Sequence, residues 1–196
     1  MARRSRQKVT GIYPALLQFI LAVFLATIPG NAAQKTQGVL EIRVKDHREA
    51  IGDFSKLMLT VDKVAVSPKP GLMFWRAGWQ DLVPAVDSVD LTHYIGGKSA
   101  RVFRAGLDPE AFDAIHLKLK SVDGILKKSH TKVPIKNMVG PVKLAFEVRP
   151  QSETLIVLDL VVLDMSDHPP RAYELAIRGY ELYTNGKLVD KIPPGP

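Results

Sequence analysis

The feature that most constrains the fold is an apolar run at residues 155–164, LIVLDLVVLD. In an extended strand, odd-numbered side chains share one face and even-numbered side chains the other. Both sets are apolar here except for Asp159 and Asp164, which therefore point to opposite faces. Apolar residues on both faces are typical of a central strand that is buried on both sides. The run thus predicts the interior strand of a layered β protein.

Alternation of apolar and polar residues recurs along most of the chain, and no stretch has a convincing helical period. Residues 89–97 fit either a helical turn or a strand end, and Asn185-Gly186 is a strong hairpin signal. The pattern is typical of an antiparallel β-sandwich or barrel. We predict an all-β, antiparallel sandwich of about 7–9 strands, preceded by an N-terminal signal helix. The other predicted strand segments, some of them short or weak, are 38–46, 56–68, 79–83, 100–107, 111–122, 124–128, 131–135, 141–150, 172–183 and 187–192.

The first 32 residues have the three zones of a secretory signal. Four basic residues precede an apolar stretch, and Pro29 and Gly30 end it before the small residue Ala32. We predict a signal peptide at 1–32, a short linker at 33–37, a single domain at 38–192 and a Pro/Gly tail at 193–196. The protein is then exported, to the periplasm or outside the cell. The alternative is an inner-membrane anchor at residues 12–29, but the unbroken apolar stretch is only about half the length of a spanning helix.

Charge and composition narrow the classes of partner. Subtracting the four basic residues of the leader from the formal net charge of +7 leaves +3 for the rest of the chain, which gives no support for a nucleic-acid partner. The chain has no cysteine, which excludes disulfides, thiol catalysis and zinc–thiolate sites.

The acids near the apolar run are the main candidates for chemistry. We interpret Asp159 as a structural residue, held by backbone donors or by a base such as Arg178, because a buried carboxylate needs partners. The alternative is a calcium- or sugar-binding acid. Asp164, Asp167 and His168 lie where the strand gives way to a loop, and DMSD is a weak match to a calcium loop. Whether Asp164 and Asp167 bind calcium stays open.

The stretch GLMFWRAGWQ at residues 71–80 places aromatic side chains on a predicted loop. Such rings stack on sugars or anchor protein partners. Phe74, Trp75 and Arg76 are therefore the candidate ligand-binding residues, whereas Trp79, at the start of a strand, is predicted to be structural and to lie in the core.

Recognisable catalytic patterns are absent from the sequence. The histidines are scattered, and there is no HExxH, no GxSxG and no glycine-rich phosphate loop. We therefore predict no catalytic residues, no metal site, no cofactor and no enzymatic activity. The lysines at 118–132 are interpreted as a solvated sheet edge.

The order of four segments resembles the bacterial and archaeal family called domain of unknown function 4382. The segments are GVLEIRVKD, KLMLTVDKVAVSP with the following Gly78-Trp79, GLDPEAFDAIHLKL, and TLIVLDLVV with YELAIRGYEL. The similarity covers about 38–184, although Glu110 and Phe112 stand where Gly and Tyr are common in the family. The resemblance implies an exported or surface protein with a carbohydrate-binding-like, transthyretin-like sandwich, and no established activity. Trp79 and Asp159 fall at family-like positions.

These observations favour an exported, non-catalytic module that binds a glycan. The alternative is a structural or protein-interaction module of the cell envelope. A third hypothesis, an enzyme, requires Asp159, Asp164 and His168 to converge on one open pocket.

Overall fold

The alternating segments form strands in a computed structural model that describes residues 36–70, 78–166 and 172–192. The predicted signal peptide, the residues Phe74, Trp75, Arg76, Asp167 and His168, and the tail lie outside the described residues. The described residues belong to one compact unit, Lys35–Pro196. Among them, no helix has the length and apolarity that crossing a membrane requires.

The described part of the chain contains eleven strands and no α-helix, so the all-β prediction is confirmed. The count exceeds the predicted 7–9 because the short segments at 79–83 and 131–135 also form strands and Ser88–Asp90 adds another. Residues 89–97 begin as a strand end and continue as a 3₁₀ turn, Leu91–His93, which Asp90 caps by accepting a hydrogen bond from the Thr92 N–H. A second 3₁₀ helix spans Ala50–Asp53. The strands are β1 Gly38–Asp46, β2 Phe54–Pro68, β3 Gln80–Leu82, β4 Ser88–Asp90, β5 Ala100–Leu107, β6 Glu110–Leu126, β7 Lys132–Asn137, β8 Val142–Val148, β9 Glu153–Asp164, β10 Tyr173–Thr184 and β11 Lys187–Ile192.

Hydrogen bonds join all the described strands into one barrel-like sheet in the order β3-β2-β6-β7-β10-β9-β1-β5. Strands β11, β4 and β8 pair with β10, β2 and β6 respectively. Strand β7 connects the two halves, because it pairs antiparallel with β6 and parallel with β10. The prediction of a two-layer sandwich is therefore not confirmed.

The prediction that all strand pairs are antiparallel is wrong for two of them. β1 runs parallel to β9, and β7 runs parallel to β10. Alternation specifies which side chains face the core, but it carries no information about the direction of the neighbouring strand. Sequence reasoning could therefore place the faces of these strands but not their partners.

Strand β9 is central, as predicted. It lies between β1 and β10, and residues 156–162 are all buried. Its even-numbered residues Ile156, Leu158, Leu160 and Val162 belong to the main hydrophobic core. Val157 and Val161 are buried on the other face. The pairing of β9 with β1 is uninterrupted, so Asp159 and Lys45 are neighbours across the two strands.

The hairpin that joins β10 and β11 is also confirmed. Asn185 and Gly186 both have positive φ, 49° and 75°, as a two-residue type I′ connection requires. All six residues of β11 are exposed, so this strand forms an outer edge of the sheet.

Candidate binding pocket

Of the candidate site residues and structural residues named in the sequence, Trp79, Asp159, Asp164 and Arg178 are described. Trp79 is 44% exposed, so the prediction that it lies in the core is not supported. It precedes β3, a short edge strand, and its ring lies 6.0 Å from the ring of His116. The position of Trp79 at the start of a strand does not show whether that strand lies at the edge or in the interior of the sheet.

Asp159 and Asp164 lie five residues apart in an unbroken strand and so face opposite sides of the sheet. Asp159 is buried, whereas Asp164 is exposed and accepts hydrogen bonds from the backbone and the hydroxyl of Ser166. Asp164 therefore shapes the turn at the end of β9, as its place in the sequence suggested.

Asp159 has two basic neighbours, and they differ from the one suggested by the sequence. Its Oδ2 lies 3.7 Å from Nζ of Lys45 and 3.5 Å from Nδ1 of His47. The suggested base, Arg178, lies in a bulge of β10 and is 3.6 Å from Glu49. The other carboxylate oxygen of Asp159, Oδ1, is buried and accepts no hydrogen bond within the part of the chain that is described.

Asp46 is a second buried carboxylate, which sequence reasoning missed. It is 1% exposed at the end of β1, and its Oδ2 accepts a hydrogen bond of 2.6 Å from the backbone N–H of Arg48. Its Oδ1 is buried and has no partner among the described groups. Burial raises the pKa of Asp46, and the charge of Asp159 raises it further, to about 6, despite the opposing bond from Arg48.

Asp46 and Asp159 line the same cavity, which has a volume of about 360 Å³. We call it the aspartate pocket. Arg48 has a positive φ of 82°, which is uncommon outside glycine and occurs where the surrounding structure fixes the backbone. The complete lining is Lys45, Asp46, His47, Arg48, Gly96, Asp159 and Lys191.

Glu181 links the two lysines of the aspartate pocket. Its Oε1 lies 3.0 Å from Nζ of Lys45 and 3.1 Å from Nζ of Lys191. Burial by itself would raise the pKa of Glu181, but hydrogen bonds from Tyr183, Lys45 and Lys191 outweigh it and lower the pKa to about 2. Three acids, Asp46, Asp159 and Glu181, therefore face three bases, Lys45, Arg48 and Lys191, at this site.

The pKa of Asp46 gives a testable pH dependence. A carboxyl whose pKa is raised on folding, here from 3.8 to about 6, destabilises the folded state as the pH rises through that window. Relative to the wild type, we expect Asp46→Asn to gain about 2 kcal/mol in the free energy of unfolding between pH 4 and pH 7. Urea unfolding at several pH values measures this shift.

The matched control for this measurement is Asp81→Asn. The hydrogen bond from Lys63 lowers the pKa of Asp81, so the stability difference should move in the opposite direction with pH. A difference for Asp46→Asn that stays constant with pH would contradict the buried, unpartnered state of this carboxylate.

No group of three or more His, Asp or Glu side chains is placed to hold a metal ion within residues 36–70, 78–166 and 172–192. Two further cavities are more apolar. One, of about 400 Å³, lies against the stacked rings of Phe112 and Phe146. The other, of about 380 Å³, lies against the bulge at Arg178. Neither is lined by an acidic residue that lacks a partner.

Comparison with known families identifies one match. The family model described as a domain of unknown function (DUF4382) matches residues 37–174. The match ends at the second residue of β10, short of the 184 expected from the sequence resemblance. No curated protein and no solved structure matched the chain.

Proposed function

Because the chain belongs to the DUF4382 family, whose model assigns no activity, we propose from the aspartate pocket that it is an exported, non-catalytic module that binds a glycan. The observation that carries the proposal is that two buried carboxylates, Asp46 and Asp159, line one cavity and each keep one oxygen without a donor. A buried acceptor without a donor is costly. A ligand rich in hydroxyl groups supplies the missing donors.

The charge balance of the aspartate pocket supports an uncharged sugar unit within it. The acids Asp46, Asp159 and Glu181 offset the bases Lys45, Arg48 and Lys191. A charged group inside the pocket would upset this balance in a partly desolvated site. Sugar hydroxyls both donate and accept, so they can bond to the carboxylates and to the ammonium groups together.

The placement of Asp159 and Asp164 favours binding over catalysis. The enzyme hypothesis requires both carboxylates in one open pocket, and their opposite faces on β9 argue against it. The proposal therefore assigns no catalytic residue and no cofactor. Asp159 is structural through its contacts with Lys45 and His47, and it lines the cavity that receives the ligand.

A glycan array tests the proposal, with Asp159→Asn, Asp46→Asn and Trp75→Ala compared with the wild type. A hydrogen bond to a charged group is worth about 1.5–3 kcal/mol, so we expect each aspartate variant to weaken binding by about tenfold or more. Asp81→Asn, an exposed aspartate paired with Lys63, is the control and should bind like the wild type.

The array separates the two candidate glycan sites. Loss of binding in Trp75→Ala alone would move the site to the predicted aromatic loop of Phe74, Trp75 and Arg76. The absence of any signal on the array would contradict glycan binding altogether.

A second candidate function, a protein-interaction module of the envelope, draws on β11. This edge strand exposes Leu188, Val189 and Ile192, and an exposed edge can accept a strand from a partner. A stoichiometric partner captured from envelope extract by the wild type, but not by Val189→Lys, would favour this function.

The proposed export rests on the leader predicted from the sequence. N-terminal sequencing of the mature protein should begin at Ala33. A first residue upstream of Pro29 would favour the retained anchor at residues 12–29 instead.

A further inference from the structure

Three arginines converge on one buried glutamate on the outer side of β1 and β5. A bulge in β5 is responsible, because Val102 and Phe103 together oppose Ile42 and are both buried. Arg101 and Arg104, on either side of the bulge, therefore reach the same face. Bulges of this kind re-aim side chains and often lie beside functional sites.

Glu41, which is 1% exposed, accepts hydrogen bonds from all three arginines. Arg43 and Arg101 each donate through Nε, at 2.5 and 3.0 Å, and Arg104 donates through Nη1. Burial by itself would raise the pKa of Glu41, but the three arginines lower it to about 2. Glu41 is therefore an anchor that stays ionised.

The terminal nitrogens of Arg43 and Arg101 donate no hydrogen bond to any described residue. Because each Nε is tied to Glu41, both guanidinium groups are held in place with their outer donors unused. The two residues are also direct partners across the strands. Like charges in such a pair are destabilising, and the structure tolerates this pair because Glu41 lies between the two arginines.

We propose that Arg43, Arg101 and Arg104 form an oxyanion clamp, and that its ligand is an acidic polysaccharide carrying sulfate or carboxylate groups. Fixed guanidinium groups are the preferred donors to planar or tetrahedral oxyanions. The choice of a polysaccharide rests on the proposed glycan-binding function. Lys45 of the aspartate pocket follows Arg43 by two residues on the same face of β1, about 6.6 Å along the strand. An acidic group in the clamp thus leaves the adjoining sugar close to the pocket.

The charges around the clamp favour a single acidic group over an extended anionic surface. Glu41 and Glu153 offset two of the three arginines, and Arg104 lies 2.6 Å from Glu153. Nucleic acids and anionic membranes require many bases spread over a wide surface. A net charge of about +1 from five ionised groups does not provide that surface.

The test measures binding to immobilised dextran sulfate, carboxymethyl dextran and neutral dextran at about 0.15 M salt. We expect the wild type to bind one or both acidic polymers more tightly than neutral dextran, and the two acidic arms identify the preferred oxyanion. The double variant Arg43→Gln/Arg101→Gln should lose at least about tenfold in affinity. The single variant Arg101→Gln leaves two arginines on Glu41 and should lose part of the affinity for the acidic polymers. This variant keeps the test valid if the double variant does not fold.

The matched control is Lys63→Gln/Lys118→Gln. Lys63 and Lys118 are also direct cross-strand partners, on β2 and β6, so this variant removes the same charge elsewhere and should bind like the wild type. Arg43→Lys/Arg101→Lys keeps the charge but loses the planar donors, and it should bind more weakly than the wild type.

Three results would overturn the clamp: equal losses in the lysine control, wild-type affinity in the glutamine variants, or tighter binding to anionic lipid vesicles than to the acidic polymers. The two proposals fail separately. If Asp159→Asn binds dextran sulfate as tightly as the wild type does, the oxyanion clamp is supported and the role of the aspartate pocket is contradicted. Binding to neutral glycans without a preference for acidic ones would support the aspartate pocket and contradict the oxyanion clamp.

Discussion

Replacing Glu41 by glutamine is expected to lower the free energy of unfolding by about 3–5 kcal/mol at neutral pH. The substitution keeps the size of the side chain but removes the negative charge on which Arg43, Arg101 and Arg104 converge. Despite the opposing effect of burial, the same three arginines lower the pKa of Glu41 from 4.5 to about 2, which corresponds to a stabilisation of about 3 kcal/mol. Urea unfolding at pH 7 measures the change.

Two observations check the origin of this effect. Because the folded-state pKa is lowered, the contribution of Glu41 is present above pH 4.5 and is lost as the pH falls toward 2, so the two proteins should converge in acid. Glu153→Gln is the control. Glu153 is 43% exposed and contacts only Arg104 among these bases, so its loss should cost less than about 1 kcal/mol. Equal effects of the two substitutions would contradict the anchoring role of Glu41.

Replacing Leu158 by alanine is expected to destabilise the protein by about 2–5 kcal/mol. Leu158 is completely buried in the main core, between Val44 of β1 and Tyr180 of β10. Neighbours on both sides restrict how far the core can collapse around the missing atoms. Thermal or urea unfolding measures the loss.

Leu188→Ala provides the comparison for Leu158→Ala. Leu188 lies on the exposed edge strand β11 and is 47% exposed, so its truncation should change stability by no more than about 0.5 kcal/mol. A small effect at Leu158 would mean that β9 is not the central strand of the core.

The fold class and the central position of β9 could be predicted because they follow from side-chain periodicity alone. The run at residues 155–164 is apolar on both faces, so both faces must be buried by other parts of the protein. Asn185-Gly186 favours a two-residue hairpin turn. Strand partners could not be predicted in the same way, because pairing depends on segments far apart in the sequence. This is why the parallel pairs of β1 with β9 and of β7 with β10 were missed.

The candidate sites were predicted only in part, for a related reason. Asp159 was recognisable as a buried acid, but its partners Lys45 and His47 come from β1 and its end, more than 100 residues away. Asp46 resembles an ordinary polar strand end. The arginine cluster depends on the bulge at Val102 and Phe103, and the only trace in the sequence is the spacing of three between Arg101 and Arg104.

The parallel pairing of β1 with β9 has a consequence for the order in which the chain can fold. Residues 39–46 find their partners at 153–160, so the first strand gains its second neighbour only when most of the polypeptide has been synthesised. Contacts so distant in sequence slow the search for the native state. Until β9 is made, the edge of β1 that pairs with it has no partner, and unpaired strand edges of this kind favour aggregation.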